Sequence, residues 1–415
     1  MEPAAALATD LLTPLAAYLR LREEGRASFL LESVEQGRLG RNSWLGGGSR
    51  LVGFEEAAAL GLPVVGYLGY EAGARFEPSV PVPADGRDLP ESRFVVVDTL
   101  VRFDHGRGIA EVLVGDPDGI ARRLEEPLAA LSHNVSSVAT APRGELRRHP
   151  DRATYESWVR RCQEHIRAGD AYQVVPSQRA ERPTSASALE LYRALRRVNP
   201  SPYLFLLELG ELALIGSSPE RLVACEDGRA SLCPIAGTTH PGDGEAERLL
   251  TSEKDRAEHV MLVDLGRNDL SRACLPGSVR VERLMDVERF SHVTHLVSEV
   301  VGELRPDVTP FELLRDCFPA GTVTGAPKIR AMQIVADLEG YRRGPYAGAV
   351  GYVLPGGTMD TCIALRTIVL HEGVALLQAG AGVVADSDPA AEHDECLRKL
   401  AALESAIGLA EDEAR

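Results

Sequence analysis

Two hairpins in immediate succession set the tightest limit on how this chain folds. In "PYLFLLELGELALIGSS" two apolar runs flank Gly210, and in "RLVACEDGRASLCPIAG" two more flank Asp227-Gly228. A glycine between such runs, or an Asp-Gly pair, signals a tight turn between antiparallel strands. Further strand-like runs precede them: "RASFLLESVE", "LPVVGYLGYE" and "RFVVVDTLVRFDH". Three more follow: "AGAVGYVL", "TCIALRTIVL" and "GVALLQAGAGVV". Helical spacing joins Tyr155, Trp158, Val159, Cys162 and Ile166, which predicts a helix from about 152 to 168 that stops at Gly169. Helices are also predicted over "SALELYRALRRV", about 245–266, "PKIRAMQIVADLE" with Pro327 near its first position, and about 389–408. Strands in runs followed by helices predict an α+β fold and not a regular βαβ alternation.

The polar, unpatterned stretch "SHNVSSVATAPRGELRRHP" is the best linker candidate. The expected organisation is an N-terminal subdomain over 1–131, a linker over 132–150 and a second domain over 151–415. The net charge of −16 argues against nucleic acid or an anionic membrane as the main partner. An anionic substrate would then need local cationic help. No run reaches a membrane-spanning length of about 18 apolar residues. The N-terminal stretch has no Lys or Arg before Arg20, so no secretory signal is expected. Seven scattered cysteines without a CxxC suggest reduced thiols in a cytoplasm.

Two predicted helices carry stripes of carboxylates. Asp255 and Glu258 stand three residues apart in "SEKDRAEHVML", and Glu392, Glu395 and Lys399 form a stripe in "DPAAEHDECLRKL". Either stripe alone is what a solvated helix face shows. Facing each other, the two would suit Mg2+, which takes carboxylate oxygens and keeps waters. "LLQAGAGVVADSDP" carries Gly380 and Gly382, where the backbone can approach an anion closely. "FPAGTVTGAPK" is a second Gly-rich turn opening onto a helix N-terminus. Arg366 is a lone charge in an apolar run, so it points into a site or pairs with an acid. His295 and Glu220 are candidate acid–base groups. In "CPIAGTTHPG" a strand ends at Ala236 and turns through Gly237-Thr238. No G-x-S-x-G or HExxH pattern appears.

Taken together, "ESVEQGRLGRNSWLG", "NPSPYLF", "GSSPE", "PIAGT", "AEHVMLVDLGRNDL", "FPAGTVTGAPKIRAM", "MDTCIALRT", "QAGAGVVADSDP" and the final E-x-x-E-x-x-x-K closely resemble the chorismate-utilising enzymes. The resemblance is strongest from about 150 to 405, and is nearest to the anthranilate synthase large subunits. It implies two stacked antiparallel sheets flanked by helices, with the active site between the sheets. It also implies chorismate as substrate and Mg2+ as cofactor, with Glu258 and Glu395 as metal ligands and Glu392 and Asp255 in support. Arg366, Tyr352 and the backbone of Gly380 and Gly382 would hold the carboxylate of the enolpyruvyl arm, with Lys399 and Thr322 lining the same pocket. Glu220 would protonate the departing 4-hydroxyl, His295 would serve the later loss of pyruvate, and Thr238 would lie near the reacting ring.

The nucleophile follows from two positions. Aminodeoxychorismate synthases typically carry a nucleophilic lysine where this chain has Ala236. Isochorismate-forming relatives typically carry a water-activating lysine where it has Gln173. Ala236 with Gln173 therefore points to ammonia and to anthranilate, with the aminodeoxychorismate product as the alternative. The resemblance further implies a glutamine amidotransferase subunit as ammonia source, hence a hetero-oligomer. Glu32, Ser33, Pro202 and Tyr203 match tryptophan-binding motifs and imply feedback inhibition.

Overall fold

Each strand-like run in the sequence becomes one strand or two, and among the described residues the ladders between strands are antiparallel. The structure is a computed structural model that describes residues 3, 5–33, 41–126, 144–239, 242, 244–289 and 294–413. Among these, eleven strands form one sheet and ten form a second. The expected hairpins are present. Tyr203–Leu209 pairs with Leu212–Ser218 across Gly210, and Arg221–Glu226 pairs with Arg229–Leu232 across Asp227-Gly228. Asp227 and Gly228 both have positive φ (51° and 74°), the conformation that the tightest hairpin turns require.

The sheets stack face to face. Phe29, Phe205, Leu207 and Leu214 of the larger sheet meet Val65, Tyr67 and Val95 of the smaller in one buried cluster. Helices cover the outer faces. Pro389–Glu413 lays Leu400, Leu403 and Ile407 on the larger sheet, and Glu253–Ala273 lays Val263 and Leu270 on the smaller. Each fully buried aliphatic or aromatic side chain contributes about 1.5–3 kcal/mol through removal from water. The fold is thus α+β, with two stacked antiparallel sheets flanked by helices.

The N-terminal part is woven into both sheets. Ala27–Glu32 pairs with Tyr203–Leu209 in the larger sheet, and Val64–Leu68 pairs with Ala349–Val353 in the smaller. Of the expected linker, 132–143 lies outside the described residues, and Arg147–His149 is a strand on Ser177–Pro183.

Several runs read as one strand are two, because the chain crosses from sheet to sheet within them. Ser92–Val96 belongs to the smaller sheet and Thr99–Asp104 to the larger. "TCIALRTIVL" divides in the same way: Met359–Ile363 lies in the smaller sheet and Thr367–His371 in the larger. The hairpin strand Leu212–Ser218 likewise passes into Arg221–Glu226 of the other sheet. The helix expected over 245–266 is also two, Glu245–Thr251 and Glu253–Ala273, meeting at Ser252.

Helix Glu253–Ala273 is tied to helix Lys328–Glu339 by a buried ion pair. Lys328 Nζ donates to both Asp269 carboxylate oxygens at 2.9 Å and to Cys317 O at 3.1 Å. Burial outweighs the pull of Lys328 and holds the Asp269 carboxyl above its usual pKa. Lys328→Met should cost about 3–5 kcal/mol, because it strands a buried carboxylate. Urea unfolding at neutral pH measures this. The deficit should narrow at acid pH, where Asp269 can take up a proton.

Candidate active site

The crossing segments Pro219–Glu220 and Ala364–Arg366 run side by side. Ile363 N donates to Glu220 O at 3.0 Å, and Ser218 Oγ donates to Ile363 O at 2.6 Å. This corner brings Glu220 and Arg366 to one end of the gap between the sheets. Arg366 has a φ of +46°, a costly conformation for a residue with a side chain. Arg366 is half-buried, pairs with no carboxylate among the described residues, and is depressed in pKa by its partial burial.

Glu220 is the most perturbed acid here. Burial pushes its pKa up to about 8, against a hydrogen bond from Thr322 and the charge of Lys399. Thr322 Oγ1 donates to Glu220 Oε1 at 2.8 Å, so the proton belongs on Oε2. Thr322 is carried by the one-turn helix Gly321–Thr324 in the second Gly-rich segment. Lys399 donates to Gly380 O at 2.8 Å and pairs with Glu395 Oε1 at 2.8 Å, one helical turn away.

Gly380 is held to glycine by backbone close by, and at Gly382 a side chain would displace the Gln173 amide. A Cβ on Gly380 would lie 2.9 Å from Pro176 O and 3.0 Å from Tyr346 Oη, and one on Gly382 would lie 2.5 Å from Gln173 Nε2. Gln173 Nε2 in turn donates to Glu258 Oε1 at 3.2 Å, while Gln173 Oε1 is buried without a partner among the described residues. Glu258 thus reaches the Gly382 end of the strand through Gln173, and Glu395 reaches the Gly380 end through Lys399. The two carboxylate-bearing helices converge on the same strand end from different sides.

The "PIAGT" segment is the edge strand Ile235–Thr239, paired with Thr294–Glu303. Gly237 (φ +66°) is a bulge: Ala236 pairs with Leu296 and Thr238 with His295, leaving Gly237 unpaired. His295 Nδ1 donates to Gly237 O at 3.4 Å, which makes Nε2 the lone-pair nitrogen of the ring. Burial, and then the charge of Arg366, hold His295 below its ordinary pKa, against the Gly237 hydrogen bond. Ala236 is buried beside it. The side chains of Thr238 and Asp255 lie outside the described residues.

Glu392 is buried on the inner side of its helix, and its charge adds slightly to the burial that holds the Tyr155 and Cys396 pKa values up. Among the described residues no three His, Cys, Asp or Glu side chains gather as a ready metal cage. The donor set is nonetheless that of a hard cation. Mg2+ is usually held by one or two carboxylates, with water and substrate oxygens completing its octahedron. Glu258 and Glu395 fit that description.

Tyr352 requires a correction. Expected at the enolpyruvyl carboxylate, it packs on Trp44 at a ring separation of 4.9 Å within the inter-sheet core, near Asp360 and Arg221. Its register explains this. Strand Ala349–Val353 sets Tyr352 opposite Asp360 and Val65, well inside the smaller sheet. Tyr346, six residues earlier in "PYAGAVGY", stands at Gly380 instead. The sequence offered two tyrosines in one stretch, and only the strand boundary tells them apart.

Tyr352 adjoins the residues that match regulatory motifs. Tyr203 Oη donates to Asp360 Oδ1 at 3.2 Å and accepts from Arg221 Nε at 2.8 Å. Glu32, on the neighbouring strand, accepts from Tyr192 and pairs with Arg196 at 3.4 Å. Ser33 Oγ is buried without a partner among the described residues, and Pro202 is buried close by in sequence to Tyr203. The Arg221–Asp360 pair had no signature in the sequence, since its members stand 139 positions apart.

This geometry has known counterparts. Residues 27–405 match the chorismate binding enzyme family, and the chain belongs to that family. It is 44% identical to anthranilate synthase component 1 of Streptomyces coelicolor, over 97% of this chain and 88% of that one. It is 41% identical to the protein of the same name from Thermus thermophilus, over 97% and 96%. Its fold is similar to the crystal structure of anthranilate synthase component I from Streptococcus pneumoniae, with a TM-score of 0.75 and 32% identity, covering 97% of this chain and all of that one.

The glycine at 382 can be tested directly. Gly382→Ala should drive the Gln173 amide off Glu258 and lower kcat/KM for chorismate by about tenfold or more, since misplacement on the 1 Å scale is costly. Steady-state kinetics check this, and thermal unfolding should show little change.

Proposed function

We propose that this chain makes anthranilate and pyruvate from chorismate and ammonia, as the large subunit of an anthranilate synthase. The observation that carries the reading is Glu220, a carboxylic acid kept protonated to about pH 8 by burial and oriented by Thr322. Loss of a ring hydroxyl needs such a donor, and a carboxyl of ordinary pKa would have given up its proton at neutral pH.

Ammonia adds at C2 of the ring while the C4 hydroxyl leaves as water with the proton from Glu220. A proton is then lost from C2 and the enolpyruvyl arm departs as pyruvate, which leaves an aromatic amine. The neutral imidazole of His295, depressed in pKa by burial, is suited to take that proton. Arg366 and the backbone of Gly380 and Gly382 hold the enolpyruvyl carboxylate, with Tyr346 at the same end and Lys399 alongside. Mg2+ held by Glu258 and Glu395, with Glu392 and Asp255 in support, would neutralise the ring carboxylate. Local cations at a few Å outweigh a net charge of −16 spread over the molecule, which salt screens over about 8–10 Å.

Ala236 decides the nucleophile. A methyl group there leaves room for ammonia and supplies no amine of its own, which disfavours the aminodeoxychorismate product. Relatives named as component 1 support a partner component and hence a hetero-oligomer, and the proposal takes that partner to be a glutamine amidotransferase that supplies the ammonia. Among the described residues no helix is long and apolar enough to cross a membrane, and seven free thiols are consistent with a cytoplasmic enzyme. Tryptophan binding at Glu32, Ser33, Pro202 and Tyr203, now with Tyr352, is part of the same proposal.

The test is simultaneous release of anthranilate and pyruvate from chorismate, Mg2+ and ammonium. Chorismate consumed without pyruvate would replace this reading with the aminodeoxychorismate one. At a fixed concentration of free ammonia, kcat should hold up to about pH 8 and then fall as Glu220 loses its proton. Glu220→Gln should lower kcat by about 10²–10⁴-fold and remove that limb. Tryptophan should inhibit the wild type, and Ser33→Phe should abolish the inhibition with kcat intact; a wild type indifferent to millimolar tryptophan would sink the regulatory part.

A further inference from the structure

Arg343 takes no part in the chemistry above, yet four of the segments around the proposed site converge on its buried guanidinium, directly or through Glu339. Its side chain is 1% exposed and forms a two-pronged pair with Glu339, the last residue of helix Lys328–Glu339: Nε to Oε2 at 2.9 Å and Nη2 to Oε1 at 2.6 Å. The remaining donors go to backbone. Nη1 donates to Val323 O at 2.9 Å, and Val323 adjoins Thr322, the partner of Glu220. Nη2 donates to Val175 O at 2.7 Å, two residues beyond Gln173, the partner of Glu258. The guanidinium also lies 5.7 Å from the ring of Tyr346 and 4.6 Å from that of Tyr70.

Glu339 extends the same hub. Its Oε1 accepts from both the backbone N and the hydroxyl of Ser177 at 2.7 Å, and Ser177 is the register partner of Gly380. A pair buried this deeply is poor evidence for stability, since desolvation offsets most of the attraction. What it supplies is direction. Its five N–H groups lie in one rigid plane and fix two carbonyls and a carboxylate at once.

We propose that Arg343, locked by Glu339, is the positioning residue that sets the Thr322 turn, the Gln173 strand, Tyr346 and the Gly380 strand in register for turnover. Nothing in this requires Arg343 to touch substrate. The inference rests on the assignment of those four segments to the chorismate site. It does not depend on which product is released.

The test uses Arg343→Lys, which keeps the charge and loses the fork. Folding is checked by circular dichroism and thermal unfolding, and kcat and KM are measured on whatever product the wild type releases from chorismate. The expected result is a folded protein with kcat lowered about tenfold or more and KM for chorismate changed less than about threefold. The alkaline limb of the rate profile should also move upward, because Thr322 no longer favours the ionised form of Glu220 beside Lys399. A folded variant with wild-type kcat and an unmoved limb overturns the proposal. So does a loss of rate that merely tracks a loss of folded protein. Where Arg343→Lys does not fold, Glu339→Gln carries the test: it keeps an acceptor for Ser177 and should lower kcat by about threefold or more, and unchanged kcat would overturn the proposal equally. A wild type that turns over no chorismate defeats the functional reading itself, before any variant is compared.

Discussion

The structure depends on a hydrogen bond between two pieces of chain that change sheets together. Ile363 N donates to Glu220 O at 3.0 Å where the two strands cross between the sheets in opposite directions. Ser218 closes the same corner through its bond to Ile363 O. Strands within a sheet satisfy their polar backbone through the ladder, but a strand that leaves one must find other partners. Here the two crossings satisfy each other. The ladders before and after them, Gly216 with Thr367 and Arg221 with Cys362, hold the register on either side. An acid and a cation, Glu220 and Arg366, are thereby fixed at this corner.

That position accounts for the electrostatics. Glu220 stands where apolar layers exclude water, so its neutral form is favoured and it can donate a proton. Glu258 and Glu395 come from helices that cover opposite outer faces and reach the opening from outside, through Gln173 and Lys399. The three carboxyls of the proposed site therefore meet different surroundings. The inner one is suited to acid catalysis, and the outer two to a divalent ion.

The strands, the hairpin turns and most helices were legible in the sequence because each rests on local periodicity. Gly210 and Asp227-Gly228 fall at the turns they announced. The crossings were not legible. "TCIALRTIVL" and "RFVVVDTLVRFDH" break their apolar pattern at Arg366-Thr367 and at Asp98-Thr99, where the chain changes sheet, but a few polar residues inside a strand-like run do not by themselves say that it does so. Arg366 could be recognised as a residue with a purpose, but not as the pivot between sheets. The two tyrosines of "PYAGAVGY" could not be separated either. Side-chain direction along a strand depends on where pairing begins, and Tyr346 precedes the first paired residue, Ala349. The Arg343 hub is invisible for another reason: its partners Val175 and Val323 contribute only carbonyl oxygens, which any residue carries.

The same crossings bring the proposed regulatory pocket next to the proposed acid. Arg221 follows Glu220 directly and is held by Asp360 and Tyr203, and Asp360 lies on the strand that ends at Ile363. A ligand seated against Tyr203 and Tyr352 would bear on Arg221 and Asp360, hence on both chains of the corner. It can shift turnover only as far as it binds one arrangement of that corner more tightly than another. No long pathway is needed, because the element that would have two arrangements already contains both sites. The stacked sheets leave this corner as the place where a change at one ladder alters the spacing between Glu220 and Arg366.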